Sequence, residues 1–374
     1  MGYSNRYLAL FALVLACGAP QHSAPSAALD ASQWLDRTQK EAHDRHAAVV
    51  VVAGADWCEP CNELHQRYFD ATAGQKLREN QVVRELDVET PLGQAVAARL
   101  GVLGYPTTLV LRPQPQLVEV GRIEGWDTLP YFTSSLNELL QRPAPLPAVC
   151  APGDATPITG DVATALPAVR CAVEALHGPA GASAARRLSE MLRNDGVLHA
   201  TATWPAPQRE ELLGAFRQLG RWQTRVANQH DACAQTFTRA QQWPGTPAEQ
   251  VPTLLYWQAK CTLRDARGDE AKQLVEQWLA ASGDTYEARA LAADFVVHEA
   301  LAQPWGPQWG RALLQRLLAE RPGEPWNHYL LGLLLAEHGP RAEARAELER
   351  AVALKPESAL FVRQLARVRA TGVP

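Results

Sequence analysis

The chain has 374 residues, enough for about two or three domains, and 47% of them are hydrophobic, which supplies a sizeable core. A net charge of −4 offers no basic surplus for nucleic acid. Seven cysteines in an even-plus-one arrangement make redox chemistry the first question.

The N-terminus reads as a targeting segment over residues 1–17. Arg6 gives a positive start, and Leu8 to Ala16 is an apolar run far short of the roughly 20 residues that span a bilayer. Val14-Leu15-Ala16-Cys17 resembles a bacterial lipobox, with Leu15 where a small residue is usual, and implies lipidation of Cys17. The alternative is ordinary cleavage near Ser26-Ala27-Ala28, which leaves a soluble periplasmic protein. Both place the cysteines in an oxidising compartment, the cell envelope. Residues 18–28 then read as a tether of small residues.

From Asp30 to His43 the pattern predicts an amphipathic helix, followed by a strand from Ala47 to Ala53 that is apolar throughout and so buried on both faces. Trp57-Cys58-Glu59-Pro60-Cys61 comes next, at the entry to a helix predicted over Asn62 to Phe69. Two cysteines spaced by two residues at a strand-to-helix junction are the working part of a thioredoxin-like redox site. The first thiol sits at the helix N-terminus, where the dipole and free N–H groups favour a thiolate. The second lies one turn on, and Pro60 is tolerated because the first turn needs no N–H partner there. A strand is predicted over Val82 to Val88, a helix over Pro91 to Leu100, a hairpin over Thr107 to Leu111 and Leu117 to Gly121, and a helix over Leu129 to Leu140. The order α-β-α-β-α-β-β-α fits a sheet covered on both faces.

Ala55 to Cys61 with Tyr68-Phe69, and then Val102-Leu103-Gly104-Tyr105-Pro106-Thr107 and Gly125-Trp126-Asp127, resemble the C-terminal thioredoxin-like domain of the DsbD family of disulfide reductases. The resemblance covers residues 29–142 and implies an α/β thioredoxin-like fold. It further implies a cis Tyr105–Pro106 bond beside the CxxC, which pairs with an extended substrate strand and keeps metals away. It departs from the family at Val52, where a buried acid would help deprotonate the second thiol; Asp56 nearby is expected at the surface.

Arg142-Pro143 to Pro147 opens a proline-rich linker over 143–159. Residues 160–374 show helical stretches separated by Gly/Pro turns. Leu331, Gly332, Ala344, Leu348, Ala351 and Pro356 fall at the spacing of a tetratricopeptide-like repeat, whose small residues let paired helices approach. Ala300 with Ala319, and Ala259 with Ala271, keep the spacing in weaker upstream units, and Phe361 and Leu365 suit a cap. Cys233 and Cys261, on helices predicted over 223–241 and 250–266, stand at similar distances from the turn at Pro244-Gly245. They therefore suit either a disulfide between neighbouring helices or two buried thiols. Cys150 and Cys171 similarly suit a bond from the linker to the first helix beyond it.

The reading is an exported thiol-disulfide oxidoreductase with a helical-repeat region. Cys58 attacks a client disulfide and Cys61 resolves the mixed disulfide. Trp57, Glu59, Pro60, Tyr105 and Pro106 support the site. Glu59 places a negative charge beside Cys58, which raises a thiol pKa and predicts a reducing couple nearer about −270 mV than about −120 mV. No metal or cofactor is expected: zinc would need two further ligands, His65 is a helix-face histidine, and His230 and Cys233 share a helix face but two residues do not make a metal site. Expected partners are disulfide-containing clients, a separate thiol electron donor, a protein in the repeat groove and, through Cys17, the membrane. The alternative is a non-enzymatic envelope adaptor, with a structural CxxC disulfide and partners bound by the thioredoxin fold and the repeats.

Overall fold

A computed structural model describes residues 25–113, 116–142, 161–177 and 181–370. Cys17, the tether up to residue 24, the linker at 143–160 and Cys150 with its suggested bond to Cys171 lie outside the described residues.

Val49-Val50-Val51-Val52 becomes the central strand β1 (Val49–Gly54), buried along its valines as the unbroken apolar run requires. It pairs in parallel with β2 (Val82–Asp87) on one side and antiparallel with β3 (Thr107–Arg112) on the other. β3 carries the edge strand β4 (Val118–Glu124), giving the order β2-β1-β3-β4, with a bulge at Val110/Leu111. Helices α1 (Pro25–Asp44), α2 (Glu59–Leu64), α3 (Thr72–Asn80), α4 (Pro91–Arg99) and α5 (Leu129–Gln141) cover the two faces. Val49, Val51 and Ala53 pack with Ala31, Val96 and both CxxC cysteines on one face. Val50 and Val52 pack with Leu64, Phe69, Phe132 and Leu136 on the other. This alternation is the two-residue period of a strand with helices on both sides.

Two features differ from the predicted elements. The active-site helix turns π-helical over His65–Phe69, and the separate helix α3 follows it, where the sequence carried no distinct apolar stripe. The predicted helix over 223–241 is instead the end of one helix and the start of another, broken where Asn228 takes a positive φ of 55°.

All regular structure described beyond residue 160 is helical: α6 (Val162–Ala175), α7 (Gly181–Arg193), α8 (Asp195–Thr201), α9 (Ala206–Arg225), α10 (His230–Gln242), α11 (Val251–Arg264), α12 (Gly268–Ala281), α13 (Tyr286–Phe295), α14 (Gly306–Glu320), α15 (Pro325–His338), α16 (Arg341–Leu354) and α17 (Ala359–Ala370). Between α13 and α14 a π-helical turn runs from Val296 to Ala300. Successive helices pair, most closely α15 with α16 and α11 with α12. Ala344, Leu348 and Ala351 are fully buried between α15 and α16. Ala259 and Ala271 do the same in α11 and α12, but Ala319 is exposed. In its pair the close approach is made at Gly310, against Leu334 and Val296, because Ala319 falls on the outer side of α14. Cys233 on α10 and Cys261 on α11 are joined by a disulfide in the core between those helices.

Gly332 lies so close to α16 that a β-carbon there would stand 2.6 Å from Leu348 Cγ. Gly332→Val should therefore cost about 1–3 kcal/mol of stability by overpacking, read from urea unfolding of the full chain.

Candidate active site

The site begins where β1 ends. Cys58 is the N-cap of α2, with φ −82° and ψ 99°, and its sulfur accepts the Cys61 N–H at 3.3 Å. Pro60 occupies the first turn, where its missing N–H costs nothing. A disulfide joins Cys58 to Cys61 (S–S 2.06 Å), and Tyr105–Pro106 is cis. The turn at Gly125 closes on that bond, its N–H donating to the Pro106 carbonyl at 2.8 Å. Trp57 packs edge-on against Tyr105, ring centres 6.2 Å apart, which brings the two loops together. Trp126 leans on Phe132 in the core.

Three residues at the site have roles that the sequence pattern does not signal. At Gly54 a β-carbon would stand 3.2 Å from Cys61 Sγ, so the end of β1 is glycine where the second sulfur comes close. Asn62 donates from its amide to both the Asp56 and Cys58 carbonyls at 2.9 Å and so braces the CxxC turn. Leu103, just before the cis bond, is fully buried, and it joins the core of helices α6–α11 rather than that of its own sheet.

Leu103 points to how the site is covered. A nucleophile at a helix start is commonly open to solvent, yet Cys58 is 5% and Cys61 3% exposed, with Trp57 beside them at 38%. The helical region closes over the site from two sides. On the cis-proline side, the Arg225 guanidinium lies over the Tyr105 ring at 4.7 Å, and Arg122 bridges the Gly101 carbonyl and the His177 ring. On the CxxC side, Lys355 pairs with Glu59 at 2.8 Å and Arg367 with Asp56 at 2.7 Å, while Arg363 donates to Asn62 Oδ1 at 2.7 Å. The ring of His298, in the second π-helical turn, lies 6.3 Å from Trp57. Asp56 is at the surface as expected, but paired.

Behind His298 the helical region carries buried charge. Glu299 accepts Lys260 at 2.6 Å and Arg264 at 3.2 Å. Burial would push Glu299 up, but the Lys260 and Arg264 charges overcome it and hold the carboxyl down at about 2. Burial lowers Lys260, with Glu299 acting in the opposite direction. His298 is lowered and Asp294, 3.7 Å away, is raised, both chiefly by burial. Burial also raises Glu89, which takes a hydrogen bond from Trp57, and Asp87 and Asp56 add to that. Val52 is an apolar member of the core, on the sheet face opposite the cysteines. His65 packs on Phe69, and His230 hydrogen-bonds Thr224 at 2.9 Å. Among the described residues no three metal-ligating side chains gather.

Residues 30–113 match the family described as thioredoxin-like. This part of the chain is a thioredoxin-like domain. The thiol:disulfide interchange protein DsbD of Cronobacter sakazakii is 31% identical over 109 residues, 29% of this chain and 19% of that protein. Protein disulfide isomerase-like 1-3 of Oryza sativa subsp. japonica is 33% identical over 114 residues, 30% of this chain and 20% of that protein. The chain thus spans about a fifth of the length of these curated relatives. The crystal structure of YrrB, a TPR protein with an unusual peptide-binding site, aligns with 55% of this chain and 92% of its own, at 15% identity and a TM-score of 0.34.

The Glu299 side chain is 20% exposed and that of Lys260 15%. Glu299→Gln should therefore destabilise the protein by about 3 kcal/mol at pH 7, because it leaves two cations without their anion. The folded pKa is depressed, so this stability is present above the unfolded carboxyl pKa. The gap between variant and wild type should close as pH falls from about 5 toward 2, measured by denaturant titration.

Proposed function

We propose that this chain is an exported thiol-disulfide oxidoreductase that works in the reducing direction on client proteins of the bacterial cell envelope. The observation that carries the reading is the Cys58 sulfur at the N-cap of α2, accepting the Cys61 N–H, with the cis Tyr105–Pro106 loop alongside. A sulfur placed there faces the positive end of the helix, which favours the thiolate.

In the reduced protein the Cys58 thiolate attacks one sulfur of a client disulfide. That bond breaks, the second client sulfur leaves as a thiolate, and a mixed disulfide forms. Cys61, deprotonated, attacks Cys58 Sγ, releases the first client sulfur and closes the Cys58–Cys61 disulfide, so two electrons pass to the client. A separate thiol donor restores the dithiol. Position 52 supplies no carboxylate to this face, so the Cys61 proton passes to water.

The helical region holds the client. Its helices meet both loops of the site, and Trp57, His298 and Trp326 form an aromatic path beside the disulfide. The contacts that close over Cys58 are partly exposed ion pairs, which are individually weak, so a client displaces them at little cost. Lipidation of Cys17 anchors the protein to the membrane, facing the periplasm.

Cys61→Ala in the full chain should accumulate clients as mixed disulfides that dithiothreitol releases, and adding Cys58→Ala should abolish them. Partners retained without covalent adducts in either variant would instead favour an adaptor. A reversible couple in glutathione buffers is expected for the wild type.

A further inference from the structure

Glu59 is the residue that, by the chemistry of the sequence, makes this pair reducing: a carboxylate next to Cys58 disfavours its thiolate. The fold does not leave that carboxylate alone. Lys355, 296 residues away at the end of α16, places Nζ 2.8 Å from Glu59 Oε1. Two arginines of α17 treat the other side of the CxxC turn in the same way. Arg367 meets the Asp56 carboxylate, and Arg363 reaches Asn62 Oδ1 and the Asp56 carbonyl. Asp56 and Glu59, the acidic side chains before and between the cysteines, therefore each have a cation from the last two helices, while Glu63 beyond them is paired locally by Arg67 at 2.9 Å. Other charged groups near the turn are Glu89, hydrogen-bonded by Trp57 and burial-raised, His298 against Trp57, and Arg225 over Tyr105.

We propose that Lys355 is a positioning residue for the redox pair: it neutralises Glu59 in the closed, client-free protein and so sets the reduction potential less negative than the thioredoxin-like domain would have by itself. The proposal rests on the thiol-disulfide reading above. Its physics is one-sided. The disulfide carries no charge and is indifferent to Glu59 and Lys355, whereas the reduced pair carries the Cys58 thiolate. A cation that offsets Glu59 stabilises only the reduced form, and a stabilised reduced form is a stronger oxidant. In reduction by glutathione, two glutathione thiols give up their electrons. The Cys58–Cys61 bond breaks, glutathione disulfide forms, and the protein keeps one thiolate and one thiol while one proton is released.

The two partners should act with opposite sign, which separates charge from mere packing. In the full chain, Lys355→Met leaves Glu59 uncompensated. It should shift the equilibrium constant with glutathione about tenfold toward the disulfide form, a potential about 30 mV more negative. Glu59→Gln leaves Lys355 unopposed and should shift it the other way. The double variant should return near wild type, and Lys355→Arg should keep the wild-type value. Thiolate absorbance at 240 nm should follow, the Cys58 midpoint rising in Lys355→Met and falling in Glu59→Gln. A reversible wild-type couple that Lys355→Met leaves unchanged overturns this inference alone, as does an equal shift in Lys355→Arg, which would place the effect in packing. A wild type with no reversible couple overturns the thiol-disulfide reading and this inference together.

Discussion

The arrangement depends on one burial. Leu103 stands three residues before the cis proline, yet its side chain is sealed in the core of the first helices beyond the linker. A buried leucine is worth about 1.5–3 kcal/mol relative to an exposed one, so the cis-proline loop is tied to the helical region as well as to its own sheet. With that loop docked, the rest of the face follows. Tyr105 comes under Arg225, Trp57 meets His298, and the CxxC turn is brought against α16 and α17.

Each of the two regions carries a widened helical turn. One π-helical turn, His65–Phe69, follows the CxxC helix and re-aims Tyr68 and Phe69 into the core. The other, Val296–Ala300, presents His298 toward Trp57 while Glu299 takes Lys260 and Arg264. Such turns recur at functional sites because one extra residue shifts which side chains face a neighbour. Here the first packs its aromatic residues inside the thioredoxin-like domain, and the second turns a histidine toward that domain.

A helix expected to close the repeat stack also serves the redox domain. Phe361 and Leu365 of α17 are buried against the last pair, with Phe361 stacked on Tyr329, as a cap requires. The opposite side of the same helix carries Arg363 and Arg367 to the CxxC turn. An end cap needs a polar outer face for solubility, and in this chain part of that polar face is spent on Asp56 and Asn62.

By itself the sequence determined what depends on local spacing. The valine run dictated a strand buried on both faces, the CxxC a helix start with a sulfur at its cap, and Gly-Tyr-Pro-Thr the loop opposite. Gly332, Ala344, Leu348 and Ala351 dictated the final helix pair. These are readable because strand and helix periods and capping chemistry act over a few residues. Helix α3, the two π-helical turns and the break at Asn228 left weaker traces, since each is settled by packing rather than by a local pattern. What only the tertiary structure decided is the setting of the redox pair. Cys58 is buried, Glu59 is answered by Lys355, and Leu103 belongs to a foreign core. The reason is distance along the chain: electrostatics and burial act through space over a few ångströms, and the groups that supply them lie up to about 300 residues away in sequence.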